Sequence, residues 1–263
     1  MTDRVELPLS GASFGADPSF VELLKRQRPE AMPASVQLGA VDVPQGTTVL
    51  GLRYAEGIVM AGDRRATSGY TIADAKMKKV FAADDFSAIA IAGAAGQAVE
   101  TVRLFQLELE HYEKLTGDRL SLEGKANRLA QMIRANFPLA VQGLVVVPLF
   151  GGYDEGRNEG RLFYYDATGG RWEEQDYQAT GSGAQPAKNS LKKRWRPGLD
   201  HEEAMRVAVE ALIDAAEDDV ATGGPDLARG IFPVVVTVTA QGATESADED
   251  VATAVRAVVE TRS

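Results

Sequence analysis

The order in which strands and helices follow one another constrains the fold of this chain more than any other sequence feature. Short β-patterned segments come in groups joined by tight turns, and helical segments with one apolar face come between these groups. The predicted strands cover 48–54, 57–61, 78–81, 86–92, 143–152, 161–165, 172–179 and 231–239, and the predicted helices cover 93–117, 122–137, a segment after 181–183, 202–218 and 251–260.

This order also predicts the fold class. Helices that come in pairs between hairpin-joined strands favour antiparallel sheets covered by helix pairs over a βαβ-wound sheet. The number of strands indicates two stacked sheets with helices outside each. We therefore predict an α+β fold, a four-layer αββα sandwich of two antiparallel sheets.

The residue inventory excludes several kinds of catalytic site. None of the 263 residues is a cysteine, which excludes disulfides, thiolate metal sites and a cysteine nucleophile. Only His111 and His201 are present, both in charged surroundings typical of a solvated surface. A Ser-His-Asp site or a histidine metal centre is therefore not expected, and we predict no metal and no cofactor. Nucleophilic catalysis would have to proceed without imidazole.

Charge and hydropathy limit the partners of the chain. A formal net charge of −10 argues against nucleic acid. The basic segment 188–196 is interpreted as a subunit contact or a solvated helix face, with a nucleic-acid patch as the alternative. No apolar run reaches membrane-spanning length, and the N-terminus lacks the pattern of a signal peptide. We expect a cytoplasmic protein.

A change in composition at Gly46 divides the chain. Residues 1–46 are rich in Gly, Ser, Ala and Pro, with one short helical candidate at 20–25, and could not form a core alone. Composition favours a tail, and a removable prosegment is the functional alternative. If the Gly46–Thr47 bond were cut, Thr47 would carry a free α-amine, of ordinary pKa about 7.7 to 8.0. That amine could be the general base for its own hydroxyl.

A terminal threonine of this kind would need a nearby cation, a counter-charge for that cation and donors for a developing oxyanion. Asp63 lies sixteen residues after Thr47, and Lys79 lies sixteen residues after Asp63. Both interrupt β-patterned segments with a charge. By spacing alone, an Asp and a Lys at strand ends are more often solvated turn residues, so the motifs around them have to decide.

Six short motifs follow one another along the chain: GTTV at 46–49, AGDRRATSG at 61–69, KV at 79–80, IAG at 91–93, GSG at 181–183 and DVATGG at 219–224. This ordered set resembles that of proteasome β subunits, which are N-terminal-nucleophile hydrolases with the αββα sandwich. The resemblance covers essentially all of residues 47–240. Residues 225–227 and the long prosegment resemble the actinobacterial branch most.

The resemblance implies roles for three residues. Thr47 would be the nucleophile and supply its own base, and Lys79 would lower the pKa of the attacking hydroxyl. At about 4 Å and an effective dielectric near 20, a unit charge is worth roughly 4 kcal/mol before desolvation. Asp63 would pair with Lys79 and keep it protonated and oriented.

Further positions match the surroundings of the nucleophile. Ser182 and Asp219 match the residues that support the amine. Thr222 stands where many members carry serine, so the hydroxyl is kept on a stiffer side chain. Gly93 matches the residue whose backbone N–H forms the oxyanion hole.

The resemblance also implies a peptide-binding site. Backbone positions at Thr67, Gly93 and Ala95 would pair with an extended peptide as an added strand. The pocket for the residue before the scissile bond carries no charge, which favours apolar side chains, a chymotrypsin-like preference. Ordinary core is the alternative interpretation of Met77 and Ile91. The matching pocket residues are Ala66, Met77, Ile91 and Ala95, with Phe81 behind them.

The same chemistry predicts self-cleavage at Gly46–Thr47, in which the Thr47 hydroxyl attacks the Gly46 carbonyl and water then releases the prosegment. Glycine there leaves the approach unobstructed. Residues 1–46 would be the prosegment and 47–263 the catalytic domain.

The resemblance further implies an assembly of two heptameric β rings between two α rings, with proteasome α subunits and other β subunits as partners. From the branch it implies a ring ATPase that delivers tagged protein substrates. Two alternatives remain. The first is another enzyme on the same fold, such as a simpler bacterial ring protease or an amidohydrolase, against which the prosegment and residues 219–224 argue. The second is a non-catalytic ring subunit, against which Thr47, Asp63 and Lys79 together argue.

Overall fold

Two five-stranded antiparallel sheets form the centre of the fold in this computed structural model, which describes residues 46–68 and 71–262. The helical candidate at 20–25 and all of the expected prosegment except Gly46 lie outside the described residues. The strands are β1 (Thr48–Tyr54), β2 (Gly57–Gly62), β3 (Ala66–Ser68), β4 (Thr71–Asp74), β5 (Val80–Asp84), β6 (Ser87–Gly93), β7 (Val146–Asp154), β8 (Glu159–Tyr165), β9 (Arg171–Glu174), β10 (Tyr177–Gly181), β11 (Val234–Thr239) and β12 (Gly242–Glu245). The helices are α1 (Ala95–Thr116), α2 (Leu122–Ala135), α3 (Phe137–Val141), α4 (Ala184–Arg194), α5 (His201–Asp218) and α6 (Asp248–Arg262).

The strands are ordered β10-β1-β2-β11-β12 in the first sheet and β5-β6-β7-β8-β9 in the second, and β3 and β4 form a separate small hairpin. Three apolar cores separate the layers. One lies between the first sheet and helices α4, α5 and α6, with Leu50 and Leu52 of β1 at its base. The second lies between the sheets and contains Val49 and Ile58. The third lies between the second sheet and helices α1 and α2, around Phe150. The predicted αββα sandwich is therefore confirmed.

One predicted strand, 172–179, is wrong as a single element. It contains two strands that belong to different sheets: Trp172 of β9 pairs with Tyr164, whereas Ala179 of β10 pairs with Leu50. The chain crosses between the sheets at Gln175 and Asp176. An alternating pattern reports which residues share a face but not which strand lies beside them, so this crossing left no signal in the sequence.

Pro138 ends one helix and begins another. Helix α2 ends at Ala135, two residues before the predicted end, and α3 starts at Phe137 with Pro138 in its first turn. Proline is tolerated there because the first N–H groups of a helix have no intrahelical acceptor. The prediction of a stop was correct, but the short helix beyond it was not foreseen.

The basic segment 188–196 uses part of its charge within the fold. Arg194 pairs with Glu210 at 2.7 Å and with Asp214 at 3.2 Å, and Arg196 pairs with Glu203 at 2.5 Å. These ion pairs join the segment to α5 and favour the interpretation as a subunit contact or a solvated helix face over a nucleic-acid patch. Among the described residues, no helix is long and apolar enough to cross a membrane.

Arg161 of β8 is a buried cation held by three carboxylates. Its guanidinium lies 2.8 Å from Glu123, 2.9 Å from Asp154 and 2.5 Å from Glu173, and its side chain is 3% exposed. We expect Arg161→Met to lower the free energy of unfolding by about 3 kcal/mol, because three neighbouring carboxylates lose their shared cation. Denaturant unfolding measures this change.

Arg157→Met is the matched control. Arg157 also faces Asp154, but at 4.0 Å and with a side chain that is 58% exposed. Solvent screens such a pair, so we expect a loss below about 1 kcal/mol. Equal losses in the two variants would contradict the assignment of Arg161 as a buried anchor.

Candidate active site

Ends of two neighbouring strands of the first sheet bring the predicted catalytic residues together. Thr48, the first residue of β1, pairs with Gly181, the last residue of β10. Thr47 and Ser182 therefore lie side by side, and the Ser182 N–H donates to the Thr47 carbonyl at 2.9 Å. Asp63 directly follows β2, on the other side of β1, and its N–H donates to the Thr48 carbonyl at 3.1 Å.

Asp63 is fully buried, and each oxygen of its carboxylate accepts two hydrogen bonds. Oδ1 accepts from the Lys79 ammonium at 2.7 Å and from the Thr48 N–H at 2.8 Å. Oδ2 accepts from the N–H groups of Arg65 and Gly223, both at 2.9 Å. Four donors from separate parts of the chain hold this carboxylate in one orientation.

Lys79 is 1% exposed and directs its ammonium into the same cluster. Besides Asp63, it donates to the Gly46 carbonyl at 3.1 Å and to the Arg65 carbonyl. Burial lowers the pKa of Lys79 below its ordinary 10.5, with the Asp63 carboxylate acting in the opposite direction. An amine whose pKa is lowered toward the working pH exchanges protons more readily than an exposed lysine.

Thr47 is 8% exposed and its hydroxyl contacts the bond that precedes it. Oγ1 donates to the Gly46 carbonyl oxygen at 2.6 Å, so this carbonyl receives hydrogen bonds from both Thr47 and Lys79. Only glycine fits at position 46. A Cβ there would lie 2.3 Å from Thr67 Oγ1 and 2.9 Å from the Ala221 carbonyl oxygen.

Ser182, Asp219 and Thr222 form a chain of hydrogen bonds that ends at Thr47. Asp219 Oδ2 accepts from Ser182 Oγ at 2.6 Å and from Thr222 Oγ1 at 2.5 Å. Ser182 Oγ in turn accepts from the Thr47 N–H at 3.4 Å. The fold therefore brings all six residues predicted as catalytic into one connected group.

The residues predicted to bind substrate are less concentrated. Ile91 is 2% exposed and packs with Phe81 among the core residues beneath α1, as its alternative interpretation would have it. Met77 is half-buried, and its N–H donates to the Arg64 carbonyl at 3.0 Å. The remaining positions are Ala66 and Thr67 on β3, Gly93 at the end of β6 and Ala95 at the start of α1.

A cavity of about 280 Å³ opens directly beside Thr47. Gly93 is the only predicted substrate-binding residue that lines it. Ser182, which the sequence predicts as a catalytic residue, also lines the cavity. The sequence did not identify the remaining walls, because the β6–β7 and β10 strand ends meet only in the folded sandwich. These walls are Ala92, Val145, Val147, Thr180 and Gly181.

A larger cavity, about 1100 Å³, lies elsewhere in the described part of the chain. It lies between α5, α6 and β12 near Tyr54, at the opposite end of β1 from Thr47, and no predicted site residue lines it. Among the described residues, no group of three or more His, Asp or Glu could hold a metal ion. The candidate reactive centre is therefore marked by its buried charges and not by the size of its cavity.

Thr48 is a polar residue of the site that sequence reasoning missed. It is fully buried, and its hydroxyl lies 2.6 Å from that of Thr222. Strand alternation contained the signal: Thr48 shares a face with Leu50 and Leu52, which pack beneath α4 and α5, whereas Val49 faces the second sheet. A hydroxyl on an otherwise apolar strand face requires a partner.

Together the αββα sandwich, the threonine at the start of its first strand and the buried Lys79–Asp63 pair beside it define the class, a sandwich of the N-terminal-nucleophile type. A family model described as proteasome subunit matches residues 43–226, and the chain belongs to that family. Proteasome subunit beta of Streptomyces griseus subsp. griseus is 54% identical over 248 residues, which are 93% of this chain and 88% of that protein. The Acidimicrobium ferrooxidans protein of the same name is 56% identical over 241 residues, with coverage of 91% and 88%. That of Acidothermus cellulolyticus is 54% identical over 252 residues, with coverage of 93% and 87%.

Proposed function

We propose that the chain is the precursor of a catalytic β subunit of the 20S proteasome, a threonine endopeptidase that cuts peptide bonds of unfolded proteins and activates itself at Gly46–Thr47. The observation that carries this proposal is the pair of donors on one carbonyl. Thr47 Oγ1 and Lys79 Nζ both donate to the Gly46 carbonyl oxygen, at 2.6 and 3.1 Å. A nucleophile and a cation at the same amide are what self-cleavage requires.

Self-cleavage is a transfer of the acyl group from nitrogen to oxygen. Thr47 Oγ1 attacks the Gly46 carbonyl carbon, and the Lys79 ammonium stabilises the negative charge that develops on the carbonyl oxygen. The C–N bond breaks, the hydroxyl proton ends on the departing nitrogen, and an ester joins Gly46 to Thr47 Oγ1. Water then hydrolyses the ester, which restores the hydroxyl and releases residues 1–46.

The cut creates the general base. The new α-amine of Thr47 stays beside Ser182 Oγ, which accepts a hydrogen bond from one of its N–H groups. The departure of Gly46 frees one Lys79 donor for the Thr47 hydroxyl. On a substrate, Thr47 Oγ1 attacks the carbonyl, the amine takes the hydroxyl proton and passes it to the leaving nitrogen, and water hydrolyses the ester. The Gly93 N–H stabilises the oxyanion.

Substrates are extended peptides held by the backbone at Thr67, Gly93 and Ala95. The apolar side chains of Ala66, Met77 and Ile91, of which Ile91 is nearly inaccessible, support an apolar preference before the scissile bond. The assembly is two heptameric β rings between two α rings in the cytoplasm, supplied with tagged proteins by a ring ATPase. The domain division is prosegment 1–46 and catalytic domain 47–263.

The full chain, co-expressed with its α-type partner subunits, tests this proposal. We expect intact-mass measurement of assembled particles to find a β chain that begins at Thr47, and the particles to hydrolyse an apolar fluorogenic peptide. Gly46→Ala is expected to leave the chain uncut and the particles without activity, because the added Cβ would lie 2.3 Å from Thr67 Oγ1.

A chain expressed with Thr47 as its first residue is the control, since it needs no cut and is expected to be active. Intact chains in active wild-type particles would refute self-activation. Correctly trimmed particles without any peptidase activity would instead favour the non-catalytic ring subunit. Assembly without α-type subunits would favour the simpler ring protease.

A further inference from the structure

Thr48 takes no part in the proposed mechanism, yet it joins both halves of the site. Its backbone N–H donates to Asp63 Oδ1 at 2.8 Å, and its carbonyl accepts from the Asp63 N–H at 3.1 Å. Its side chain makes contacts with other parts of the site. Oγ1 accepts from the Gly183 N–H at 2.9 Å and lies 2.6 Å from Thr222 Oγ1, in a fully buried position.

The direction of each hydrogen bond in this chain follows from a count of protons. A carboxylate only accepts, so the single Thr222 hydroxyl proton is donated to Asp219 Oδ2 at 2.5 Å. Thr48 must then be the donor in its contact with Thr222. The Gly183 N–H supplies the bond that Thr48 Oγ1 accepts. The donors therefore point one way, from Gly183 through Thr48 and Thr222 to Asp219.

A comparison of its two possible acceptors determines which way the Ser182 hydroxyl donates, and so how Ser182 contacts Thr47. Its hydroxyl proton faces Asp219 Oδ2 at 2.6 Å rather than the Thr47 carbonyl at 3.3 Å, because the charged acceptor is nearer and stronger. A lone pair of Ser182 Oγ is therefore free to accept a hydrogen bond from the Thr47 nitrogen, 3.4 Å away. The nitrogen is held as a donor to Ser182.

The Thr48 hydroxyl packs directly against the turn that carries Ser182. Gly183 follows Ser182 and precedes α4, and a Cβ at position 183 would lie 2.5 Å from Thr48 Oγ1 and 2.7 Å from Thr222 Oγ1. The turn therefore has no space to move closer to Thr48 and Thr222. The Gly183 N–H donates to the Thr48 hydroxyl. Loss of that acceptor would leave a buried N–H unpaired and allow the turn to move.

We propose that Thr48 is a positioning residue of the threonine peptidase, whose hydroxyl holds the Ser182–Gly183 turn so that Ser182 accepts from the Thr47 nitrogen. This inference rests on the proposed function. Once the α-amine is free, one of its N–H groups continues to donate to Ser182 Oγ. The lone pair of the nitrogen can then accept the proton of the Thr47 hydroxyl. Thr48 touches neither the substrate nor the reacting atoms.

Thr48→Val, Thr48→Ser and wild type are compared as full chains assembled with α-type subunits, with kcat and KM measured on an apolar fluorogenic peptide. Valine keeps the shape and removes the hydroxyl, so we expect kcat to fall about 10- to 100-fold, the usual result of a small misplacement of reacting groups. KM should stay within about twofold, because Ser182 is the only wall of the cavity beside Thr47 that lies in the turn expected to move. Thr48→Ser keeps the hydroxyl and should restore kcat to within about threefold of wild type.

Thr101→Val is the matched control, because its buried hydroxyl donates to the Gln97 carbonyl at 2.7 Å within α1, away from the site. We expect it to leave kcat and KM unchanged.

The proposal fails if Thr48→Val keeps wild-type kcat, if Thr48→Ser falls as far as Thr48→Val, or if KM alone rises. If Thr48→Val does not assemble, Thr48→Ala takes its place. Failure of both to assemble, with Thr48→Ser intact, would make the hydroxyl structural and overturn the positioning role. A wild-type particle without peptidase activity would instead refute the proposed function.

Discussion

Thr47→Ala is expected to abolish peptide hydrolysis, with kcat lowered by at least about 10⁴-fold. The variant lacks the hydroxyl that attacks the substrate, and the same loss prevents the cut that would free the α-amine. The prosegment should therefore remain attached, since Thr47 Oγ1 is the group that contacts the Gly46 carbonyl, at 2.6 Å. Hydrolysis of a fluorogenic peptide and intact mass of the β chain measure the two losses in one preparation.

Thr47→Ser is the matched control for this variant. Serine keeps the hydroxyl and, once cut, the amine, and it lacks only the methyl group that limits side-chain rotation. We expect this variant to be cut directly after Gly46 and to have a kcat within about tenfold of wild type. A Thr47→Ala particle that still hydrolyses the peptide would mean that another group is the nucleophile.

Lys79→Met is expected to reduce kcat by about 10³-fold or more and to slow or stop self-cleavage. Methionine fills a similar volume but removes the ammonium that donates to the Gly46 carbonyl and to Asp63. The particle should still assemble. Asp63 keeps its three backbone donors, from Thr48, Arg65 and Gly223, so its carboxylate is not left bare. Single-turnover cleavage of the precursor and steady-state peptide hydrolysis test the two effects.

Lys125→Met separates the chemistry of Lys79 from the mere loss of a buried ion pair. The Lys125 side chain is 5% exposed and lies 2.5 Å from Asp84, which makes it a second buried lysine–aspartate pair away from Thr47. We expect this variant to lose stability, as removal of one partner of a buried pair does, and to keep its kcat. Equal losses of activity in assembled particles of both variants would show that the Lys79 effect is one of stability alone.

Much of the fold and part of the site could be predicted because both depend on patterns short enough to read along the chain. The alternation from 48 to 54 and the apolar face of 95–116 define a strand and a helix wherever they pack. Thr47, Asp63 and Lys79 are each polar at the boundary of an apolar strand, and the resemblance of the motifs around them to a known family singled them out. In the structure Lys79 donates to Asp63, and Lys79 and Thr47 both donate to the Gly46 carbonyl.

Other features could not be read in this way, because they depend on which strands become neighbours. The four donors to Asp63 include Gly223, which lies 160 residues away. The walls of the cavity beside Thr47 come from β6, β7 and β10 and the segments next to them, and only Gly93 was predicted among them as a substrate contact. Ile91, which the motif places in the pocket, is almost wholly enclosed by the core.

By itself the sequence determined the layers of this protein and pointed to candidate residues for its proposed chemistry, because hydrophobic periodicity and side-chain identity are local properties. Tertiary structure alone decided that residues 172–179 divide between two sheets, and that the Thr48 hydroxyl meets Gly183 and Thr222. The physical reason is strand register: it pairs distant residues through backbone hydrogen bonds whose donors and acceptors are the same for every sequence.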